Sequence, residues 1–320
     1  MAKLIILVGL PGSGKSSYAE NLMRDNGIFD PEVDMVVHSS DTIREELFGD
    51  ASSQEDNARV FDLMRKRTTE DLRAGKTVIY DATNVTRKGR RSAIACAHPT
   101  HDTVECHIVW ADPHECVRRD GLRNRTVGPE VIDKMLRRWQ SPWKDEGFDV
   151  VNVILNQRDF DQVKYIAGHT DSMHMPHNNP HHQLGVWDHC MQAYYNLEQG
   201  ISCPVDKRPK DYHTLVTAAM WHDIGKPWTK CFKLNKETGD LDTSVTHYYD
   251  HHCVGGYLSY GLFLNPRHSM WDAEIDDICF ISWMISNHME PFFDSHYYRD
   301  LDPHLKWYID VLHAADLAAH

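Results

Sequence analysis

The chain has 320 residues, 41% of them hydrophobic and 25% charged, with a formal net charge of −13. These values predict an ordinary water-soluble globular protein of roughly two domains, and no apolar run approaches the roughly 20 residues of a membrane span. The charge is unevenly divided: residues 1–158 hold 23 Lys and Arg against 25 Asp and Glu, a net of −2, and the remainder 11 against 22, a net of −11.

The first apolar run, Leu4-Ile5-Ile6-Leu7-Val8, is followed by Gly9-Leu10-Pro11-Gly12-Ser13-Gly14-Lys15-Ser16, and Ser17 to Met23 reads as the opening of a helix. Strand, glycine-rich turn and helix are the context in which G-x-x-x-x-G-K-[ST] forms a phosphate cradle. Backbone N–H groups there face a polyphosphate, and the helix N-terminus adds its positive end. Gly9, Gly12, Ser13, Gly14, Lys15, Ser16 and Ser17 are therefore the predicted binding residues for ATP or another nucleoside triphosphate. Lys15 would reach the β- and γ-phosphates, and the Ser16 hydroxyl would ligate Mg²⁺.

A second strand, Met35 to Ser40, ends at Asp41, where Asp41-Thr42-Ile43-Arg44 opens a helix. Residues 55–74 look helical, stopped by Gly75, and Thr77 to Tyr80 form a strand leading into Asp81-Ala82-Thr83-Asn84. A basic helix over 87–97 precedes a fourth strand, Thr103 to Trp110; a helix from about Pro113 carries Arg118, Arg119, Arg123 and Arg125. Gly128-Pro129 breaks the chain before a helix over about 130–139, and Val150 to Leu155 closes the sheet. Apolar strands alternating with helices predict an α/β domain whose parallel sheet is covered on both faces, with ligands at the carboxyl ends of the strands.

Polar residues cluster at those ends. Asp41 stands either as a base for a bound hydroxyl or as a helix N-cap, and Arg44, one turn later, is placed to grip an acceptor phosphate. Asp81 and Asn84 would orient Arg44 or a metal-bound water, or else form an Asx-turn. Arg119 and Arg123, four apart, suit a clamp on a transferring phosphoryl group or a solvated basic face.

Together these pieces, GLPGSGKSS, SDTIR, DATN, RRDGLRNR and VIDKMLRRWQSPW, make residues 1–158 resemble a P-loop polynucleotide kinase of the phage 5′-end-healing type. The resemblance implies that Asp41 is the general base for a 5′-hydroxyl, that Arg44 touches the acceptor strand, and that Lys15, Ser16, Arg119 and Arg123 handle the nucleotide.

Residues 159–182 read as a polar linker with Pro176 and Pro180, in which His169, His174 and His177 are solvated side chains. Seventeen of the 22 histidines lie from here on, as a site built from imidazole and carboxylate requires. From Leu184 the chain turns helical and carries His189. Leu215 to Trp221 lead into His222-Asp223-Ile224-Gly225-Lys226-Pro227, and a charged, hairpin-like stretch near 233–246 precedes Tyr248 to Gly256. A helix around 278–287 ends in His288, and the last helix carries Asp316. Imidazoles and carboxylates suit Mn, Fe, Ni, Co or Zn; an adjacent His and Asp can serve one centre, the carboxylate bridging to a second metal.

The order His189, His222-Asp223, His251, His288, Asp316, with HDIGK, resembles the HD phosphohydrolase superfamily over about residues 179–320. It implies an all-α helical bundle over 183–320, a metal site of those six residues, Lys226 facing a substrate phosphate, and His182 near the site. His251 and His252 both remain candidates for one ligand position, the spacing to Gly255 favouring His251. The chain stops four residues after Asp316, where such domains usually continue, which leaves the final helix short or truncated.

Eight cysteines without a C-x-x-C pair predict reduced thiols rather than a disulfide framework or zinc ribbon. The first strand begins almost at once, without signal-peptide architecture, so the expected location is cytoplasmic. The expected function is bifunctional healing of RNA or DNA ends. The fusion resembles bifunctional end-healing enzymes, which implies an ATP- and Mg²⁺-dependent 5′-OH kinase joined to a metal-dependent 2′,3′-cyclic phosphodiesterase or 3′-phosphatase, with a ligase acting downstream. The rivals are a nucleoside or small-molecule kinase fused to an HD nucleotidase, which the acidic second half favours, and a nucleotide-gated sensor module.

Overall fold

In the computed structural model, the described residues are 2–30, 32–99, 102–177, 184–234, 239–264 and 274–319. The chain divides into two compact units, residues 1–135 with 142–158, and residues 136–141 with 159–320.

The first unit contains β1 (Lys3–Val8), α1 (Lys15–Phe29), β2 (Met35–Ser39), α2 (Ser40–Phe48), α3 (Asn57–Arg73), β3 (Thr77–Asp81), α4 (Arg87–Ile94), β4 (Thr103–Trp110), α5 (Pro113–Gly121), α6 (Pro129–Leu136) and β5 (Val150–Leu155). The strands form one sheet in the order β2-β3-β1-β4-β5, every pairing parallel. β1 is flanked by strands on both sides and by helices on both faces, which is why Leu4 to Val8 is a continuous apolar run with every side chain buried. Because all five strands point the same way, the P-loop, Asp41, Asp81 and Asn156 emerge at one edge of the sheet.

Helix α6 ends at Leu136, short of the expected 139. The reason lies in the apolar payload that follows. Trp139 is fully buried, its indole N–H donates to Ser141 Oγ at 3.0 Å, and its ring meets Tyr257 and Tyr260 edge-on at 4.9 and 6.2 Å. Burying so large a ring outweighs one more turn of helix, and residues 136–141 belong to the second unit.

That unit contains α7 (Gln162–Met173), α8 (Val186–Glu198), α9 (Tyr212–Trp221), α10 (Lys226–Thr229), β6 (Lys230–Leu234), β7 (Leu241–Tyr248), α11 (His251–Leu258), α12 (Tyr260–Phe263), α13 (Ile275–Asn287), α14 (Glu290–Phe293), α15 (His296–Arg299) and α16 (Pro303–Leu317). Its core is helical, but it is not all-α: β6 and β7 pair antiparallel. Thr243, Val245, Thr246 and Tyr248 favour the pleated surface over helix. The expected polar linker also contains structure, since α7 docks through Gln162 Nε2 to Leu262 O at 2.6 Å and Tyr165 OH to Leu258 O at 2.9 Å.

Candidate functional site

In the first unit the turn after β1 closes on itself. Ser13 N donates to Leu10 O at 3.1 Å, and Gly9 N reaches Thr83 O at 3.0 Å. Gly12 (φ 79°) and Gly14 (φ 94°) occupy the left-handed region, and a Cβ at Gly12 would collide with the Cys116 carbonyl, so only glycine fits there. Lys15 Nζ donates to the carbonyls of Gly9 (2.9 Å) and Leu10 (2.8 Å), and burial pulls its pKa down. Ser16 Oγ donates to Asp81 Oδ2 at 3.1 Å, and burial raises the Asp81 carboxyl against the pull of Lys15. Ser13 Oγ is buried without a hydrogen-bond partner. Inward donors, an unpaired hydroxyl and a Ser–Asp pair fit a Mg²⁺-bound nucleotide polyphosphate.

Ser39, rather than Asp41, caps α2: its Oγ accepts from Asp41 N at 3.3 Å. The Asp41 carboxylate is thereby left for other work, and it lies 2.8 Å from Arg44 Nη1 and 3.5 Å from Arg125 Nη1. Arg44 also donates to Asn57 Oδ1 at 3.0 Å. Lys15, Ser16, Ser17, Asp41, Arg44, Asp81, Arg119 and Arg123 all line one cavity.

Within that cavity the two expected clamp arginines differ. Arg119 is tethered to Glu115 Oε1 (2.7 Å), Asn156 O (2.7 Å) and Ser13 O (3.4 Å), while hydrogen bonds from Arg118 and Arg119 hold the Glu115 carboxyl down at about 2. The charge of Arg123 acts on both Lys15 and Asp81. Asn84 does not serve Arg44: its Nδ2 is spent on Leu7 O (2.8 Å) and Ala82 O (3.3 Å), bracing the strand beneath the loop.

Two residues of this site escaped the sequence reading. Arg125 stood in the basic stretch with no sign that it would turn to Asp41. Asn156, whose Nδ2 donates to Ser13 O at 2.9 Å, had one available signal, a polar residue at the carboxyl end of a strand.

The second unit brings its six expected residues together from five helical segments. His189 lies on α8, His222 and Asp223 just after α9, His251 at the start of α11, His288 just after α13, and Asp316 on α16. Each of the four imidazoles donates Nδ1–H to a backbone carbonyl: His189 to Ala319 (2.7 Å), His222 to Ala219, His251 to Tyr248 and His288 to Ile285 (2.8 Å each). This fixes the tautomer, so all four Nε2 atoms converge. His189 and His222 face each other at 3.3 Å, and His251 and His288 at 3.2 Å.

Asp223 stands between these pairs, Oδ1 3.3 Å from His251 Nε2 and Oδ2 3.4 Å from His222 Nε2. Asp316 Oδ1 lies 2.8 Å from His189 and 3.4 Å from His222. Two three-residue groups result, His189–His222–Asp223 and Asp223–His251–His288, each with ligand atoms within 4.8 Å of one another. Nitrogen lone pairs this close repel unless a cation joins them. The donor set fits two divalent transition metals sharing Asp223.

Burial opposes charge on Asp223, but Lys226 and then His222 override it and hold the carboxyl well below the usual range. Burial also pushes His251 and His288 down, favouring the neutral form that binds metal. His252 is not one of the converging ligands; its ring packs against Phe293 at 5.6 Å, and burial lowers its pKa to about 3. His182 lies outside the described residues.

His177, expected as a solvated linker side chain, is buried in this site. Its Nδ1–H donates to Leu184 O at 2.7 Å, and its Nε2 accepts from Lys226 Nζ at 3.0 Å. The same ammonium sits 2.6 Å from Asp223 Oδ2 and over the Tyr248 ring. No sequence signal separated His177 from the exposed His174, since its burial depends on Thr246 and Tyr248, both of which donate to its backbone carbonyl.

Burial brings His177 down to about 4, with the Lys226 charge adding to the effect. In an NMR titration of the metal-free protein, His177 and His252 should stay neutral at pH 5. The unfolded chain takes up these protons near pH 6.5 and the folded chain does not, so stability falls as pH drops from about 6.5 toward 4. Each group contributes about 1.4 kcal/mol per pH unit across that window. Titration of both rings near 6.5 would contradict their burial.

Residues 4–142 match the family model described as an AAA domain, and the first unit is a P-loop, kinase-like α/β domain. Among solved structures, the chain is similar to a chain of the Pnkp1/Rnl/Hen1 RNA repair complex, 26% identical over 43% of each chain with a TM-score of 0.36. A second structure of the Pnkp1/Rnl/Hen1 complex matches at 23% identity over 50% of this chain and 48% of that one, with a TM-score of 0.33. The APS kinase CysC of Mycobacterium tuberculosis matches at 22% identity over 52% of this chain and 96% of that one, with a TM-score of 0.38. The chain spans about half the length of the Pnkp1/Rnl/Hen1 chains it matches. No helix among the described residues is long and apolar enough to cross a membrane.

Proposed function

We propose that the protein heals nucleic-acid ends: the first unit phosphorylates a 5′-hydroxyl with ATP, and the second removes a 2′,3′-cyclic or 3′-terminal phosphate. A ligase would then join the prepared ends. The observation that carries the kinase half is the Asp41 carboxylate, released from capping and held between Arg44 and Arg125 in the cavity that Lys15 and Ser16 also line. In the transfer, the bond from the 5′ oxygen to the γ-phosphorus forms as the bond to the β-bridging oxygen breaks. The hydroxyl proton passes to Asp41, and ADP leaves. Lys15 and Arg123 offset charge on the transferring group, while Arg119, tied to Ser13 and Asn156, holds the loop.

In the second unit, metals held by His189, His222, Asp223, His251, His288 and Asp316 would supply Lewis acidity and an activated water. Around them the protein's own groups act: the Nδ1–carbonyl bonds keep the imidazoles aimed, and Lys226 offers an ammonium to a phosphate oxygen. The Phe292 and Phe293 side of the cavity is apolar.

The deciding experiment incubates the protein with ATP, Mg²⁺ and labelled 5′-OH oligonucleotides or nucleosides, and separately with oligonucleotides ending in 2′,3′-cyclic or 3′-phosphate. Transfer to oligonucleotides with release of terminal phosphate supports the proposal. Transfer to nucleosides or small alcohols alone would replace it with a metabolic kinase. Within the kinase, Asp41→Asn should cut turnover by about 10²–10⁴-fold, the usual contribution of a positioned base, while ATP affinity measured by calorimetry stays close to wild type. Equal losses in both would make Asp41 part of the nucleotide site.

A further inference from the structure

Helix α3 carries a feature that the phosphate cradle does not use. Phe61, Arg65, Thr69 and Arg73 stand at successive i, i+4 positions, which form one ridge on a helix. Phe61 lines the cavity that holds Asp41, Arg44 and Gln54. Arg65, Lys66, Thr69, Glu70 and Arg73 line a second, open concavity, whose other wall is Ser92 on α4 and Ala95 just after it. The ridge thus runs from the acceptor side of the kinase cavity into a basic groove. From Phe61 to Arg73 it spans about 18 Å, the rise of about five nucleotides of one stacked strand.

The charges along this path suit a polyanion despite the acidity of the whole chain. Arg65 is paired with Asp62, and Lys66 reaches Glu70 at 4.0 Å. The Lys66–Glu70 pair is exposed on both sides and the Arg65–Asp62 pair on the Asp62 side, and surface pairs of this kind are worth little and are readily exchanged for phosphate. Among the described residues Arg73 has no ion pair. Arg44 sits 5.9 Å from the centre of the Phe61 ring, so the entrance offers both a stacking face and a guanidinium, the combination that holds single strands without reading sequence.

Resting on the kinase reading above, we propose that the α3 ridge is a track for a single-stranded nucleic acid: a base near the 5′ end stacks on Phe61, and the phosphates behind it follow Lys66, Arg65 and Arg73. A small-molecule acceptor would have no use for such a path. The expected substrate class is therefore an oligonucleotide with several nucleotides beyond its 5′-hydroxyl.

The test is fluorescence-anisotropy binding of 5′-OH oligonucleotides of about 2 to 12 nucleotides across a salt series. Wild-type affinity should climb with length and fall with salt. In the Arg65→Gln/Lys66→Gln/Arg73→Gln variant the length dependence should flatten, and the salt slope should shrink by about 2, at about 0.7 per phosphate contact. The Arg65→Lys/Arg73→Lys variant should keep the slope. Phe61→Ala should weaken binding about 5- to 150-fold, the worth of one stacked base. Wild-type binding that ignores length, or an unaltered slope in the Gln variant, would overturn the track. Polyphosphate binding as tightly as the oligonucleotide, with no effect of Phe61→Ala on either, would overturn its assignment to nucleic acid. Phosphoryl transfer from labelled ATP is scored separately: length-dependent binding without transfer sinks the kinase reading and leaves the track standing.

Discussion

Replacing Lys15 by Ala should abolish phosphoryl transfer while the phosphohydrolase keeps its wild-type rate. Lys15 is the buried cation of the loop, held by the Gly9 and Leu10 carbonyls. Its distance from those oxygens marks where a phosphate oxygen would compete for the same ammonium. Loss of one preorganised charge-stabilising donor costs about 10²–10³-fold in turnover, and here the loss of nucleotide binding adds to it. The fold should tolerate the change, because Leu10 O keeps the hydrogen bond from Ser13 N and the substitution also removes a cation whose burial is itself costly. The proposed metal ligands all lie in the other unit. Both activities are measured on one preparation, with circular dichroism as the check on folding. Loss of both with the fold intact would mean that the two units work as one catalytic body.

Much of the first unit was legible because its signals are local. A run such as Leu4 to Val8 declares a buried strand, and the spacing from Gly9 to Ser16 dictates a turn that only small residues can make. Asp41 was ambiguous from sequence because base and N-cap stand in the same place. A single hydrogen bond, from Asp41 N to Ser39 Oγ, gives the cap to its neighbour. Asn84 was ambiguous as well, since a polar residue at a strand end looks the same whether it faces a ligand or braces a backbone, and its Nδ2 is bound to Leu7 O and Ala82 O.

The second unit was legible as an ordered series of histidines and carboxylates, but not in its detail. The choice between His251 and His252 depends on helical phase at the start of α11, which sequence spacing resolves poorly. His177 was invisible because the β6–β7 hairpin that buries it, through Thr246 and Tyr248, is about 70 residues away in sequence. The hairpin itself was anticipated near 233–246, yet the unit was still expected to be all helix. The polar composition of 159–182 concealed α7, whose anchors are a glutamine and a tyrosine hydroxyl rather than an apolar stripe.

The largest effect expected in the second unit is at Asp223. Its two oxygens face His251 on one side and His222 on the other, so Asp223→Ala should remove the shared ligand of both metal positions together. Hydrolysis should disappear, elemental analysis should show the bound transition metal lost, and the kinase should continue with Mg²⁺. In the wild type, a chelator should silence hydrolysis, and Mn, Ni, Co, Fe or Zn should restore it better than Mg²⁺, since imidazole nitrogen suits the softer ions. Asp223 also neutralises the buried Lys226 ammonium, and breaking such a pair costs about 3–5 kcal/mol, so this variant alone confounds metal loss with unfolding. His288→Gln removes one ligand and leaves that pair intact; it should lower metal content and hydrolysis while thermal unfolding of the metal-free protein stays near wild type. If the wild type purifies without transition metal, takes up none on titration, and hydrolysis survives both substitutions, the cluster is a structural polar core and the second unit is a helical binding domain.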